Sequence, residues 1–180
     1  DQFVKEGFGT YAFDVMYNQF LLAGPEKDPA NVRSAKSVTE AFARIAKAKA
    51  PFLSRGDNSG THKKELAIWE ASGITPEEPW YKKVGQGMGA TLQMAEEMEA
   101  YTLSDEATFL TVHKNLQNLF SGDPLLFNQY GVMMVQTTQK PELAKAFIDF
   151  LVGEEGQKII GAFGKEKYGK SLFVPNAKKR

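Results

Sequence analysis

The stretch APFLSRGDNSGTHKKELAIWEASG (Ala50–Gly73) decides the fold. Its short apolar run from Ala50 to Leu53 predicts a strand. A polar, glycine-bearing loop follows, and a helix runs from about Thr61 to Ala71 before stopping at Gly73. The same alternation extends in both directions. Upstream, FDVMYNQFLLAGP (Phe13–Pro25) is an apolar, β-branched and aromatic run ended by Gly-Pro, which predicts a buried strand. Ser37-Val-Thr-Glu40 is a capping box in which Ser37 and Glu40 satisfy each other's open amides, leading into Val38, Phe42 and Ile45 at helical spacing. Downstream, Thr75–Glu78 reads as a second capping box with Pro76 at the first helical position. Residues 85–98 form a glycine-rich loop entering a helix, and Ala100–Leu103 is a strand. Ser104 is placed to cap a helix after it, and Tyr130–Gln136 is another strand. Pro141 opens a helix with Leu143, Phe147, Ile148 and Leu151 on one stripe. A further helix carries Ile159, Ile160 and Phe163, and Ser171–Pro175 is a short terminal strand. Strand, crossover helix and strand in repetition predict an α/β fold with a largely parallel sheet. Ligands of such sheets sit at the carboxyl ends of the strands, where helix N-termini converge. No internal repeat, low-complexity tract or long linker interrupts the pattern.

Composition narrows the function. A chain of 180 residues suits one domain or two small lobes. Its 22 Lys+Arg balance 22 Asp+Glu, which argues against the basic surface that nucleic-acid binding needs. With no Cys there are no disulfides, thiolate nucleophiles or cysteine metal sites, and His62 and His113 alone leave little for zinc. No apolar run approaches the roughly 18 residues of a membrane span. The chain opens on Asp1 without a signal peptide, and DQFVKEGFG reads as the last turn of a helix closing at Gly7 or Gly9. The expectation is a fragment that starts in mid-domain.

The loop Ser54–His62 suits a small oxyanion. Open N–H groups at a helix start near Gly60 and Thr61 favour negative charge. Ser54, Ser59 and Thr61 add hydroxyl donors, Arg55 adds a planar charged fork, and Gly56 and Gly60 let a ligand approach the backbone. The plainer reading makes Ser59 a helix cap and pairs Arg55 with Asp57 on the surface. Asp57, Ser59 and His62 are also the residue types of a hydrolase triad, but they crowd into six positions, whereas triads are usually assembled from separated segments. A second candidate loop, Gly85-Gln-Gly87-Met88-Gly89, matches the phosphate-cradling pattern only in part and lacks its Lys. Trp80 and Tyr81 read as packing residues, Met88, Met94 and Met98 as core fillers, and Glu96, Glu97 and Glu99 as a solvated helix face.

Taken together, SRGDNSGTHKKELAIWEASGI, WYKKVGQGMGATLQMA, AYTLSD and GDPLLFNQYGV, with MYNQFLLAGP upstream and LFVPNA at the end, resemble the tungstate-binding proteins of bacterial ABC transporters (TupA type). The resemblance covers almost the whole chain. It implies a type II periplasmic-binding-protein fold: two α/β lobes joined by two hinge strands, with an oxyanion clamped between the lobes. On that template residues 1–24 and 125–180 belong to the first lobe and residues 25–124 form the second. The hinge strands lie around Tyr17–Leu22 and Tyr130–Val135. The first lobe is incomplete, since the family's amino-terminal strand and its Thr/Ser-rich anion loop have no counterpart here. A second departure is Asp105-Glu106-Ala107-Thr108-Phe109, where the family has Asp-Arg-Gly-Thr-Tyr. The resemblance carries over Ser54, Arg55, Ser59, Gly60 and Thr61 as ligand contacts, with Gly87, Met88 and Gly89 in the second loop. Asp57 is expected to orient Arg55 or the loop amides. What it implies is a periplasmic receptor, not an enzyme, with no cofactor and no nucleic-acid partner. Its ligand is tungstate or molybdate and its partner a membrane permease. A phosphate or sulfate receptor, a hydrolase acting through Ser59, and a ligand-sensing module are the alternatives.

Overall fold

The computed structural model describes residues 2–112 and 114–180, so Asp1 and the second histidine, His113, lie outside the described residues. In chain order the elements are α1 (Gln2–Lys5), β1 (Gly9–Gly24), α2 (Val38–Ala48), β2 (Phe52–Ser54), α3 (Gly60–Ala71), β3 (Tyr81–Lys83), α4 (Met88–Glu97), β4 (Thr102–Asp105), α5 (Glu106–Val112), β5 (Gln117–Phe120), β6 (Phe127–Val135), α6 (Pro141–Val152), α7 (Glu154–Ala162), α8 (Lys165–Tyr168) and β7 (Val174–Lys179). The chain divides into two compact units. One is Asp1–Asn18 with Asn128–Arg180; the other is Gln19–Phe127.

The second unit is organised by the end of β1. Phe20–Gly24 are all buried, because successive side chains point to opposite faces and both faces are covered. Phe20 and Leu22 join a core with Phe42, Ile45, Ile68 and Trp69 of α2 and α3. Leu21 and Ala23 join a separate core with Leu92, Ala95 and Phe109 of α4 and α5. The first core is rich in aromatic edge contacts; the Phe42 and Trp69 ring centroids are 4.4 Å apart. Trp80 and Tyr81 are buried in the same cluster. Met88 is buried, Met94 packs at the edge of the second core, and Met98 is exposed.

The expectation of a largely parallel sheet needs correction. In this unit β1 pairs antiparallel with β4 (Leu21 opposite Ser104) and with β5 (Ala23 opposite Asn118). Only β2 and β3 form a parallel pair, Phe52 opposite Tyr81 and Ser54 opposite Lys83, with one parallel bridge from Phe52 to Tyr101. Alternating helices and strands specify a crossover only where consecutive strands are also neighbours. That holds for β2 and β3, whereas β1 takes its partners from further along the chain. In the other unit β1 pairs antiparallel with β7, Phe13 opposite Lys179, and also pairs with β6.

Local signals hold in part. Ser37 accepts the Glu40 N–H as a capping residue should, but the Glu40 carboxylate turns back to the Lys36 N–H at 2.8 Å and to Arg44. No helix follows Thr75: Pro79 lacks an N–H and disfavours helical geometry at Glu78, and β3 begins two residues later. The cap of α5 is Asp105, whose carboxylate accepts the Thr108 N–H at 2.8 Å; Ser104 is already inside β4. Of the apolar stripe on α6 only Ile148 is buried, while Leu143 and Phe147 are exposed, and no described element covers them. No helix among the described residues is long and apolar enough to cross a membrane.

These packing contrasts set a stability test. Phe42→Ala, at a fully buried position, is expected to cost about 3–5 kcal/mol in denaturant unfolding, because a cavity is left between α2 and α3. Leu66→Ala, on the exposed side of α3, is expected to cost less than about 1 kcal/mol.

Candidate functional site

The loops after β2 and β3 meet at the carboxyl edge of that parallel pair. Val84 donates its N–H to the Ser54 carbonyl at 2.9 Å, and Gly85 donates to the Arg55 carbonyl at 2.8 Å. The first candidate loop, ending in α3, and the second, ending in α4, are thereby tied together at their starts. Gly56 sits in this seam at φ +61°, and a Cβ there would come within 2.7 Å of the Lys83 Cβ. Both facts require glycine.

Each helix opens with unpaired amides. The first four N–H groups of an α-helix have no partner inside it. In α3 the His62 N–H is taken by the Ser59 hydroxyl at 3.3 Å and the Lys63 N–H by the Ser59 carbonyl, which leaves those of Gly60 and Thr61. In α4 the cap is Gly87, which has no side chain to offer; Thr91 N–H reaches its carbonyl, and the amides of Met88, Gly89 and Ala90 stay open. Each N-terminus carries roughly half a positive charge from its dipole.

Arg55 and Asp57 form an ion pair beside these amides. Arg55 donates from Nε at 3.1 Å and Nη2 at 2.5 Å to one Asp57 oxygen, while the other accepts the Ser59 N–H at 3.1 Å. The Ser59 hydroxyl, with its amide and Arg55, holds the Asp57 carboxyl down at about 2. Asp57 therefore stays ionised throughout the neutral range, as expected of a residue that orients Arg55 and the loop amides. The Arg55 Nη1 takes no part in the pair.

Beneath the loop the structure places Glu65 and Trp69, which the sequence reading did not single out, together with Ser54 and Tyr81, which it did. Ser54 is fully buried; its hydroxyl accepts the Gly56 N–H at 3.2 Å and lies close enough to Glu65 to help hold its carboxyl down. Its side chain thus braces the loop from inside instead of lining an open surface. The buried Glu65 carboxylate also accepts from Trp69 Nε1 at 3.1 Å and from the Tyr81 hydroxyl at 2.8 Å. Burial raises the Glu65 carboxyl above its usual range, and the three donors oppose that rise. The signal was present in sequence as Glu65 and Trp69 at helical i, i+4 spacing, but the fold alone supplies Ser54 and Tyr81.

His62 is also buried. Its Nδ1 accepts the Asn58 N–H at 3.0 Å, and its Nε2 has no hydrogen-bond partner among the described residues. Ser59 spends its hydroxyl on the helix cap and on Asp57. The nucleophile–base hydrogen bond of a triad is therefore not formed by these residues. Thr61 is buried at the start of α3, Gly60 is exposed, Gly87 is exposed, and the Met88 side chain enters the second core, leaving its amide at the site. Glu106 opens α5 and Ala107 is buried. Among the described residues no group of three or more His, Asp or Glu side chains is placed to hold a metal ion.

Comparison with known proteins follows this geometry. Residues 1–155 match the PBP superfamily domain. The chain is 45% identical to the tungstate-binding protein TupA of Peptoclostridium acidaminophilum, covering 99% of this chain and 65% of that protein. It is 33% identical to the protein of the same name from Campylobacter jejuni, covering 99% and 70% respectively. The solved tungstate ABC transporter protein of Geobacter sulfurreducens superposes with a TM-score of 0.80 at 45% identity, over 91% of this chain and 72% of that one. The chain thus spans 65% of the length of the first of these relatives.

The buried acid gives a direct test. Glu65→Ala leaves the Tyr81 hydroxyl and the Trp69 N–H without their acceptor and is expected to cost about 2–4 kcal/mol in unfolding free energy. Glu65→Gln keeps an acceptor oxygen and should cost far less. Because the folded-state pKa is raised above 4.5, stability from the wild-type residue is full below that pH and declines as pH rises through the raised value. Unfolding measured against pH should show this decline in wild type and lose it in Glu65→Gln.

Proposed function

The chain belongs to the PBP superfamily, and from that premise we propose that it is an extracytoplasmic receptor that captures a tetrahedral oxyanion and delivers it to the permease of an ABC importer. The ligand is tungstate or molybdate. The observation that carries this reading is the tie between the starts of the two loops, Val84 to Ser54 and Gly85 to Arg55, from which α3 opens with the amides of Gly60 and Thr61 and α4 with those of Met88, Gly89 and Ala90. Every one of these groups is a donor, and a fully deprotonated oxyanion accepts from all sides.

In this scheme Arg55, Gly60 and Thr61 contact the anion, Gly87, Met88 and Gly89 contribute through their backbone, and Ser59 contacts it by giving up its bonds to Asp57. Ser54 acts from below by holding the Gly56 amide. No bond is made or broken, no cofactor takes part, and the chemistry is hydrogen bonding and charge alone. The unit Gln19–Phe127 corresponds to the second lobe and the remainder to the first. The chain passes between them at residues 18/19, inside the expected hinge strand, and at 127/128, just before the second. The expected lobe boundaries were 24/25 and 124/125; what supports placing them at the unit divisions instead is that the last residues of β1 pair with β4 and β5.

Calorimetric titration with tungstate, molybdate, sulfate and phosphate tests the reading. Tight 1:1 tungstate or molybdate binding is expected. Arg55→Ala should weaken it at least ~30-fold, the scale of losing a charged hydrogen-bonding partner, without loss of folding. Preference for phosphate would move the assignment to a phosphate receptor. Hydrolytic turnover abolished by Ser59→Ala would replace receptor with enzyme.

A further inference from the structure

Lys64 lies one turn into α3, just past the open amides of the loop. Its ammonium is half-buried, and it has no carboxylate partner among the described residues. It donates instead to two backbone carbonyls, Leu125 at 2.9 Å and Phe127 at 3.2 Å, and it lies 5.9 Å from the centre of the Phe20 ring. Phe127 is the last residue of its unit before the chain crosses to the other, and Phe20 is the second residue after the first crossing. One side chain therefore touches both passages of the chain and stands on the helix that begins at the candidate ligand loop. Partial burial lowers the affinity of this ammonium for its proton, and the two carbonyls take the place of an acid as its partners. Surface lysines ordinarily keep their heads free in water; this one spends two of its donors on carbonyls beside a chain crossing.

We propose that Lys64 is a positioning residue that links the order of the Ser54–His62 loop to the set of the two chain crossings. Its role is to transmit, through the rigid turn of α3 between Gly60 and Lys64, whether the loop is ordered around an anion. The proposal rests on the reading of that loop as the ligand site.

Lys64→Met keeps the apolar stem against Phe20 and removes the donors, so the fold should persist; Lys64→Arg restores donors. Hydrogen exchange on the ligand-free chain reads two sets of bonded amides. One is Asn58, His62 and Lys63 at the loop, and the other is Leu125 and Leu126 beside the second crossing. In Lys64→Met both sets are expected to exchange faster together, tungstate affinity is expected to fall about tenfold, and Lys64→Arg should behave as wild type in both. A change confined to Leu126, with loop exchange and affinity unchanged, would overturn the linkage and leave Lys64 a local tether. If wild type takes up none of the four oxyanions, the ligand reading fails, and the exchange data still decide the linkage: joint change retains it, and independent change overturns it.

Discussion

Two backbone hydrogen bonds, Val84 to Ser54 and Gly85 to Arg55, hold the ends of β2 and β3 in parallel register, and the candidate site depends on them. A parallel pair sends both strands out at the same edge, so the helices that follow start from that edge as well. Each helix brings amides that its own turns do not satisfy. Separately, such amides are an ordinary feature of any helix. Here two such helix starts follow loops that are joined at their beginnings, and the first of those loops also carries the Arg55 guanidinium with its Asp57 partner. The seam also explains the glycine at 56, since the two loops approach too closely there for a side chain.

The loop is not self-supporting. Ser54 is fixed from within by Glu65, and Glu65 is fixed by Trp69 and Tyr81, which belong to the aromatic core that β1 organises through Phe20 and Leu22. A buried carboxyl is expensive to maintain, and here two donors, Trp69 Nε1 and the Tyr81 hydroxyl, converge on one of its oxygens and fix its place. The core thus reaches the surface through a short chain of hydrogen bonds. His62 adds a second brace by accepting the Asn58 amide, which supports an asparagine at positive φ.

Much of this was legible in the chain itself. The strand Phe13–Pro25 and the helices beginning near Gly60, Met88 and Pro141 follow from periodicity and caps, and each is found close to where it was expected. The Ser59 cap and the Arg55–Asp57 pair of the plainer reading were legible because a hydroxyl before a helix and opposite charges two residues apart specify them locally. Strand neighbours were not legible, since alternation of helix and strand does not say which strand lies beside β1. The helix expected after Thr75 failed because a second proline, Pro79, outweighed a good cap. Ser54 was taken for a contact because a hydroxyl is a donor in any sequence, and only its burial against Glu65 shows which way it faces. Lys64 carried no local signal, because its partners are carbonyls about sixty residues away.

The Arg55–Asp57 pair has a consequence for selectivity. The guanidinium is already occupied by a carboxylate tethered two residues away, held ionised and present at an effective concentration that a short tether puts in the millimolar range or above. Any anion seeking Arg55 must compete with this internal occupant. Chloride and free carboxylates, which offer the fork no more than Asp57 does, gain little by the exchange. A ligand with four oxygens can take the free face of the guanidinium and the helix amides at once without evicting Asp57. On the proposed reading the loop thereby carries its own competing ion, which sets a threshold against anions that offer Arg55 no more than a carboxylate does.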